Sequence, residues 1–140
     1  MPMFLAVCPG FQRQWQEHQE WWNNETAGEF NDIAEFARYL VNSYESDSTS
    51  EFPATFAILE KILVDGDEEA RVIGEIGLIE DLQIISSHRP WDAEVFTAWL
   101  GPRSAVAWRQ IDKAWEGKHS LMDVLRAERS VSNGSVKYFV

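Results

Sequence analysis

Phe30, Ile33, Ala37, Leu40, Val41 and Tyr44 recur at the three-and-four spacing of a single helix face, with Asn31, Asp32, Glu35, Arg38 and Asn42 filling the other side. A half-buried strand would alternate every second residue, so this run predicts a helix over about Glu29 to Tyr44. The same period returns through most of the chain, and it sets the expected fold class: all-α.

An earlier helix is expected from about Pro9 to Asn23. Pro9 suits a first turn, where its missing N–H is not needed. Phe11, Trp15, His18 and Trp22 form its stripe, and Asn23 and Asn24 are stop residues. Trp21 lies off that stripe. Glu45 to Ser50 reads as a polar loop. A third helix, about Phe52 to Val64, carries Phe56, Leu59, Ile62 and Leu63. Gly66 is expected to end it in a left-handed conformation, and Asp67 to cap the next. That next helix, Glu68 to Ile85, is apolar nearly all round and is expected at the centre of the domain. A fifth helix spans about Trp91 to Leu100, and a sixth Arg103 to Glu116, broken by Gly101-Pro102 and ended at Gly117. Ser120 opens a last helix through Glu128. Residues 129–140 read as a short strand or a disordered tail.

Short connections make successive helices antiparallel neighbours. The expected architecture is therefore a compact bundle of about six to seven antiparallel helices in one domain over 1–140, with helix pairs stacked over 52–85 and 91–116. No sequence period repeats, so a solenoid is not expected. The 140 residues suit one domain, and a 45 % hydrophobic content supplies its core.

The charge is −11 and unevenly spread. Residues 60–81 alone hold eight acids against two bases, and residues 101–140 reverse the sign with four acids against seven bases. The acidic first 81 residues argue against nucleic acid, which needs clustered Lys and Arg. They permit a basic protein partner, and they also serve solubility alone. The single cysteine, Cys8, excludes an internal disulfide framework and a cysteine zinc cluster. No stretch reaches the length of a membrane span, and the first ten residues lack the pattern of a signal peptide. The expectation is a cytoplasmic protein without membrane contact.

Tests for chemistry fail one after another. His18, His88 and His119 lie in different segments, which gives no metal spacing. Asp65-Gly66-Asp67-Glu68-Glu69 resembles a calcium loop only in its acidity. Its acids sit in a turn and a first helical turn, where capping accounts for them. No phosphate loop, nucleophile elbow or dinucleotide fingerprint occurs. Neither a metal nor a cofactor is expected. Glu80 stands out, a carboxylate on a helix otherwise apolar nearly all round. It is either a structural ion pair, with Arg89, Arg103 or Arg109 as partner, or an acid or base of a catalyst.

Cys8-Pro9-Gly10-Phe11, Trp15, His18, Phe52-Pro53, Phe56 to Leu63, Gly66-Asp67-Glu68, Ile79-Glu80-Asp81-Leu82-Gln83 and Leu100-Gly101-Pro102 through Trp108 and Trp115 form a set. Over most of residues 8–117 this set resembles an uncharacterised bacterial helical domain family. Small acidic proteins of this kind occur among immunity proteins of polymorphic toxin systems, so the resemblance implies that role by association. It brings no catalytic residues.

The leading expectation is an acidic protein-binding domain that neutralises a cognate toxin. Its partner contacts would be Asp65, Asp67, Glu68, Glu69, Glu75 and Asp81, with Trp21 and Trp91 as aromatic anchors. The alternatives are an enzyme using Glu80 and a self-associating module with an apolar surface patch.

Overall fold

The computed structural model describes residues 1–116. The expected last helix and the strand or tail at 129–140 lie outside these residues. The chain divides into two compact units, Met1–Trp108 and Arg109–Val140. The described part of the second is helical to Glu116. Every described element is helical, and no strand occurs among the described residues, as the apolar period required.

The helices are α1 (Pro2–Val7), a 3₁₀ turn (Pro9–Phe11), α2 (Gln12–Trp21), α3 (Glu29–Glu45), α4 (Phe52–Asp65) and α5 (Glu68–Val72). A π segment (Ile73–Ile79) then leads into α6 (Glu80–Ser86). A 3₁₀ helix (Ala93–Trp99) and α7 (102–116) complete the order. Among the described residues no helix is long and apolar enough to cross a membrane.

α3 begins after Gly28, whose φ of 95° suits glycine, and Glu29 and Asp32 stand at its positive end. Its buried face is Ile33, Phe36, Ala37, Leu40 and Val41. One member of the expected face moves out and a residue not assigned to it moves in. Phe30 is 51 % exposed, and Phe36 takes a core position instead. The reason lies in α1, a helix that the apolar spacing did not reveal. Phe36 packs on Phe4 of α1 at 4.7 Å and on Phe11 at 5.0 Å between ring centroids.

The helix expected over Pro9 to Asn23 is a 3₁₀ turn followed by α2. Asn23 and Asn24 end it, both in the left-handed region (φ 54° and 60°). Trp22 falls just past the helix end and is exposed.

α4 presents Phe52, Thr55, Phe56, Leu59 and Leu63 to the core. Its end corrects one expectation. Gly66 is extended (φ −69°, ψ 158°), not left-handed. Glycine is needed there for room, because a Cβ would collide with the carbonyl oxygen of Ile62. Asp67 caps α5 as expected, its carboxylate accepting the N–H of Ala70 at 2.8 Å.

The long helix expected over 68–85 is helical throughout, but its middle is wound as a π segment. Gly74 and Gly77 bring it close to its neighbours. A Cβ at Gly77 would sit 2.8 Å from Ile33 Cγ2, and one at Gly74 would sit 3.1 Å from Leu63 Cδ2. Gly74, Gly77, Leu78, Ile79 and Leu82 are buried, whereas Val72, Ile76 and Ile84 are exposed. The helix is thus central on one face only. It runs in the direction of α3, with Ile33 beside Gly77 and Glu29 in a common pocket with Ala70. α4 runs the opposite way between them in sequence: Tyr39 reaches Glu51 at its start, while Leu63 near its end meets Gly74.

The segment expected as a fifth α-helix is wound as 3₁₀. Asp92 caps it through the N–H of Glu94, and Phe96 is buried against Phe52, Phe56 and Trp99. α7 starts at Pro102, which has no N–H. The donors that follow are satisfied: Arg103 and Ser104 give their N–H groups to Glu60 at 2.9 Å each, and Ala105 gives its own to the Gly101 carbonyl.

Candidate functional site

The residues expected to meet a partner separate into two groups. Asp65, Asp67, Glu68 and Glu69 sit together in the α4–α5 turn and the first turn of α5, all exposed. The carboxylates of Asp65, Glu68 and Glu69 have no hydrogen bond or ion pair among the described residues. Asp67 spends one oxygen on its cap. Four carboxylates in five residues therefore face solvent with little to neutralise them, and the positive end of α5 favours three of them, Asp67, Glu68 and Glu69.

Glu75, Trp91 and Asp81 are committed inside the fold or stand elsewhere. Glu75 binds Arg103 at 2.6 Å, which ties the π segment to the start of α7. Trp91 packs on Tyr44 at 4.8 Å and donates its ring N–H to Glu45 at 3.0 Å, while Arg89 meets the same carboxylate at 3.3 Å. That clasp fixes the 87–92 loop. Trp21 differs from both: at 82 % exposure it stands in water at the end of α2.

Glu80 is half-buried, and its carboxylate makes no hydrogen bond or ion pair among the described residues. Two of its expected partners are taken, Arg89 by Glu45 and Arg103 by Glu75. The perturbed group is its neighbour. Burial, then repulsion from Glu80, pushes the Asp81 carboxyl up to about 6, against the pull of Arg38.

Beside the acidic turn lies a cavity of about 290 Å³. Phe4 of α1, Ile33 of α3, Ile62 of α4 and Ile73 of the π segment give it apolar walls. Gly74, bare for close packing with α4, also opens onto it. Glu29, Asp32, Asp67 and Glu69 stand around it. Two of these acids are partly used. Asp32 bonds His18 Nε2 at 2.8 Å, and Asp67 is the cap of α5. Glu29 and Glu69 have no hydrogen bond or ion pair among the described residues. Met1 also lines this cavity, and its amino group feels two of these acids. Burial lowers its pKa, against attraction from Asp32 and then Glu29.

A second, shallower groove of about 380 Å³ runs along α2 and α3 between Trp21, Trp22, His18, Glu17, Glu35 and Arg38. Its charges cancel locally: Arg38 binds Glu35, and Gln14 reaches the same carboxylate. Burial raises the Glu35 carboxyl, but the bonds from Arg38 and Gln14 hold it below its usual range. His18 is buried with its ring stacked on Trp15, the packed and hydrogen-bonded histidine that its place on the stripe implied. Sequence spacing put His18 on an apolar stripe but held no sign of Asp32, fourteen residues on.

Among the described residues no group of three or more His, Cys, Asp or Glu is arranged to hold a metal ion. Bare carboxylates stand with an apolar cavity next to them, and Trp21 stands apart in the groove along α2 and α3.

No curated protein and no solved structure matches the chain. A family model matches residues 1–116, a span that contains every element described above. The chain belongs to the family described as Domain of unknown function (DUF7674).

Proposed function

We propose that this domain acts by binding a basic protein, as an immunity protein that neutralises a cognate toxin by covering it. The observation that carries the reading is the placement of charge. The arginines that form ion pairs, Arg13, Arg38, Arg89 and Arg103, pair with Glu17, Glu35, Glu45 and Glu75. Asp65, Glu68 and Glu69 are left to solvent. Unpaired carboxylates at one edge create a field that speeds encounter with a basic surface and disfavours acidic ones. Trp21 adds an aromatic contact of the kind enriched at binding hot spots. The biological role comes by association alone, since small acidic bacterial proteins of this kind occur among immunity proteins of toxin systems, and a cytoplasmic site of action goes with it.

The test is genetic and biochemical. The toxin-like reading frame next to this gene is expressed in a sensitive host, alone and with this chain. Restored growth and a co-eluting complex are expected. A toxin that kills equally in the presence of the chain, or the lack of such a neighbour, would overturn the proposal.

One observation favours a second reading, self-association. Val72, Ile76 and Ile84 are exposed at four- and eight-residue spacing along one helix, and Ile76 is 48 % exposed. Sedimentation equilibrium decides it: a dimer lost on Ile76→Glu supports this reading, and a monomer at all concentrations removes it.

A further inference from the structure

We infer that the cavity between α1, α3 and the acidic α4–α5 turn receives one arginine side chain of the partner. The inference rests on the protein-binding reading above and names the contact it makes.

The cavity has the two halves that an arginine has. Phe4, Ile33, Ile62 and Ile73 supply apolar walls for the three methylenes of the stem. Glu29 and Glu69 supply carboxylates from two sides for the guanidinium, and Asp67 has its second oxygen to spare beyond the cap. A volume of about 290 Å³ lies at the lower edge of small-molecule sites, roughly 300–1,000 Å³. It suits one long side chain. An anion is repelled by the four acids, and a purely apolar side chain would leave them unanswered and partly desolvated.

Arginine fits better than lysine. Its guanidinium is weakly hydrated, so it gives up less on entering an apolar mouth, and its fork presents donors toward both carboxylates at once. Lysine brings a strongly hydrated point charge. Arginine is also among the residues that most often carry the energy of an interface.

The test uses a small probe and the whole chain. Nα-acetyl-L-arginine methylamide is titrated into labelled protein, followed by methyl and amide NMR shifts. Saturable shifts confined to Phe4, Ile33, Ile62, Ile73 and Glu69 are expected, with a Kd of roughly 1–10 mM, the range of a single anchored side chain. The matching citrulline compound, isosteric and neutral, is expected to produce none. Raising salt from about 50 to 500 mM is expected to weaken the arginine response several-fold. Glu29→Gln with Glu69→Gln, whose exposed carboxylates have no hydrogen-bond partners, is expected to weaken it roughly tenfold, with the fold kept and Tm lowered only slightly by the loss of two helix-start charges. Asp65→Asn, outside the cavity, is expected to leave it unchanged. Equal response to citrulline, a lysine probe bound as tightly, or no localised shift would overturn the inference. The two proposals fail separately. Loss of toxin rescue with an intact probe response sinks the immunity reading alone, and rescue without a probe response sinks the cavity.

Discussion

Glu60 and Gly101 are matched in shape: a Cβ placed on Gly101 would lie 2.5 Å from the Glu60 carboxylate oxygen that accepts the N–H of Ser104. The carboxylate reaches Arg103 N–H, Ser104 N–H and the Ser104 hydroxyl, and only the bare glycine lets it come so close. This pairing explains the Leu-Gly-Pro break physically. Proline removes one donor, glycine opens the space, and an acid from another helix answers the donors that remain.

Glu60→Ala is expected to destabilise the domain by about 2–3 kcal/mol, since it strands two backbone donors; the Ser104 hydroxyl keeps the Gly101 carbonyl as an acceptor. Gly101→Ala is expected to cost about 1–3 kcal/mol through the clash. The double variant is expected to cost less than the sum, because the clash disappears with the carboxylate. Urea unfolding of all four proteins measures the coupling. Strict additivity would show that the two residues do not meet.

The same carboxylate carries a pH signature. Burial raises the Glu60 carboxyl, but the N–H groups of Ser104 and Arg103, the Ser104 hydroxyl and the Arg103 charge outweigh it and hold it below its usual 4.5. A depressed folded pKa contributes stability above the unfolded value, lost as pH falls through the folded one. Wild-type stability is therefore expected to drop as pH falls below about 4.5, and Glu60→Gln is expected to flatten that part of the curve.

Asp81 predicts the opposite sign. Its carboxyl is raised by burial and by Glu80 to about 6. A raised acid is stabilising while protonated, below the unfolded value near 3.8, and that contribution is lost as pH rises through about 6. Asp81→Asn is expected to gain about 1 kcal/mol at pH 8, a figure reduced for solvent screening, and nothing at pH 3.5. Denaturation at the two pH values checks it. An equal effect at both would remove the assignment.

Cys8 is buried with its sulfur 2.7 Å from the Thr55 hydroxyl. Burial raises its pKa, against the Thr55 contact and with repulsion from Glu51. Native protein at pH 8 is expected to react with a thiol reagent orders of magnitude more slowly than protein in urea. A fast native reaction would mean that α1 opens readily.

The parts of the fold legible in the sequence are those whose signals are local and long. α3 and α4 have several turns of amphipathic period, and the capped turn at Asp67 has its acid at the right place. α1 was hidden because six residues hold less than two turns of any period, and Phe36 could not be placed without it. The π segment was hidden because a changed winding leaves composition untouched. Gly74 and Gly77, three residues apart inside an apolar helix, mark its close approach to α3 and α4, not its winding.

The candidate site was legible in its charges but not in its pairings. Glu75 and Trp91 looked available because Arg103 and Glu45 lie 28 and 46 residues from them. Asp65, Glu68 and Glu69 were recognisable because a turn next to a helix start keeps its acids in water. Glu80 drew attention as an acid on an apolar helix, and the carboxyl that burial raises is Asp81, one residue on. A step of about 100° around a helix decides which of two neighbours faces its surroundings.

Trp21 and Trp108 stand at opposite extremes, one 82 % and the other 2 % exposed. Water reddens the emission of the first and cannot reach the second. A partner that covers the end of α2 would therefore shift the fluorescence of the domain toward the blue and shield it from iodide, while one seated only on the acidic turn would change neither. The colour of its own light distinguishes which edge of the molecule is occupied.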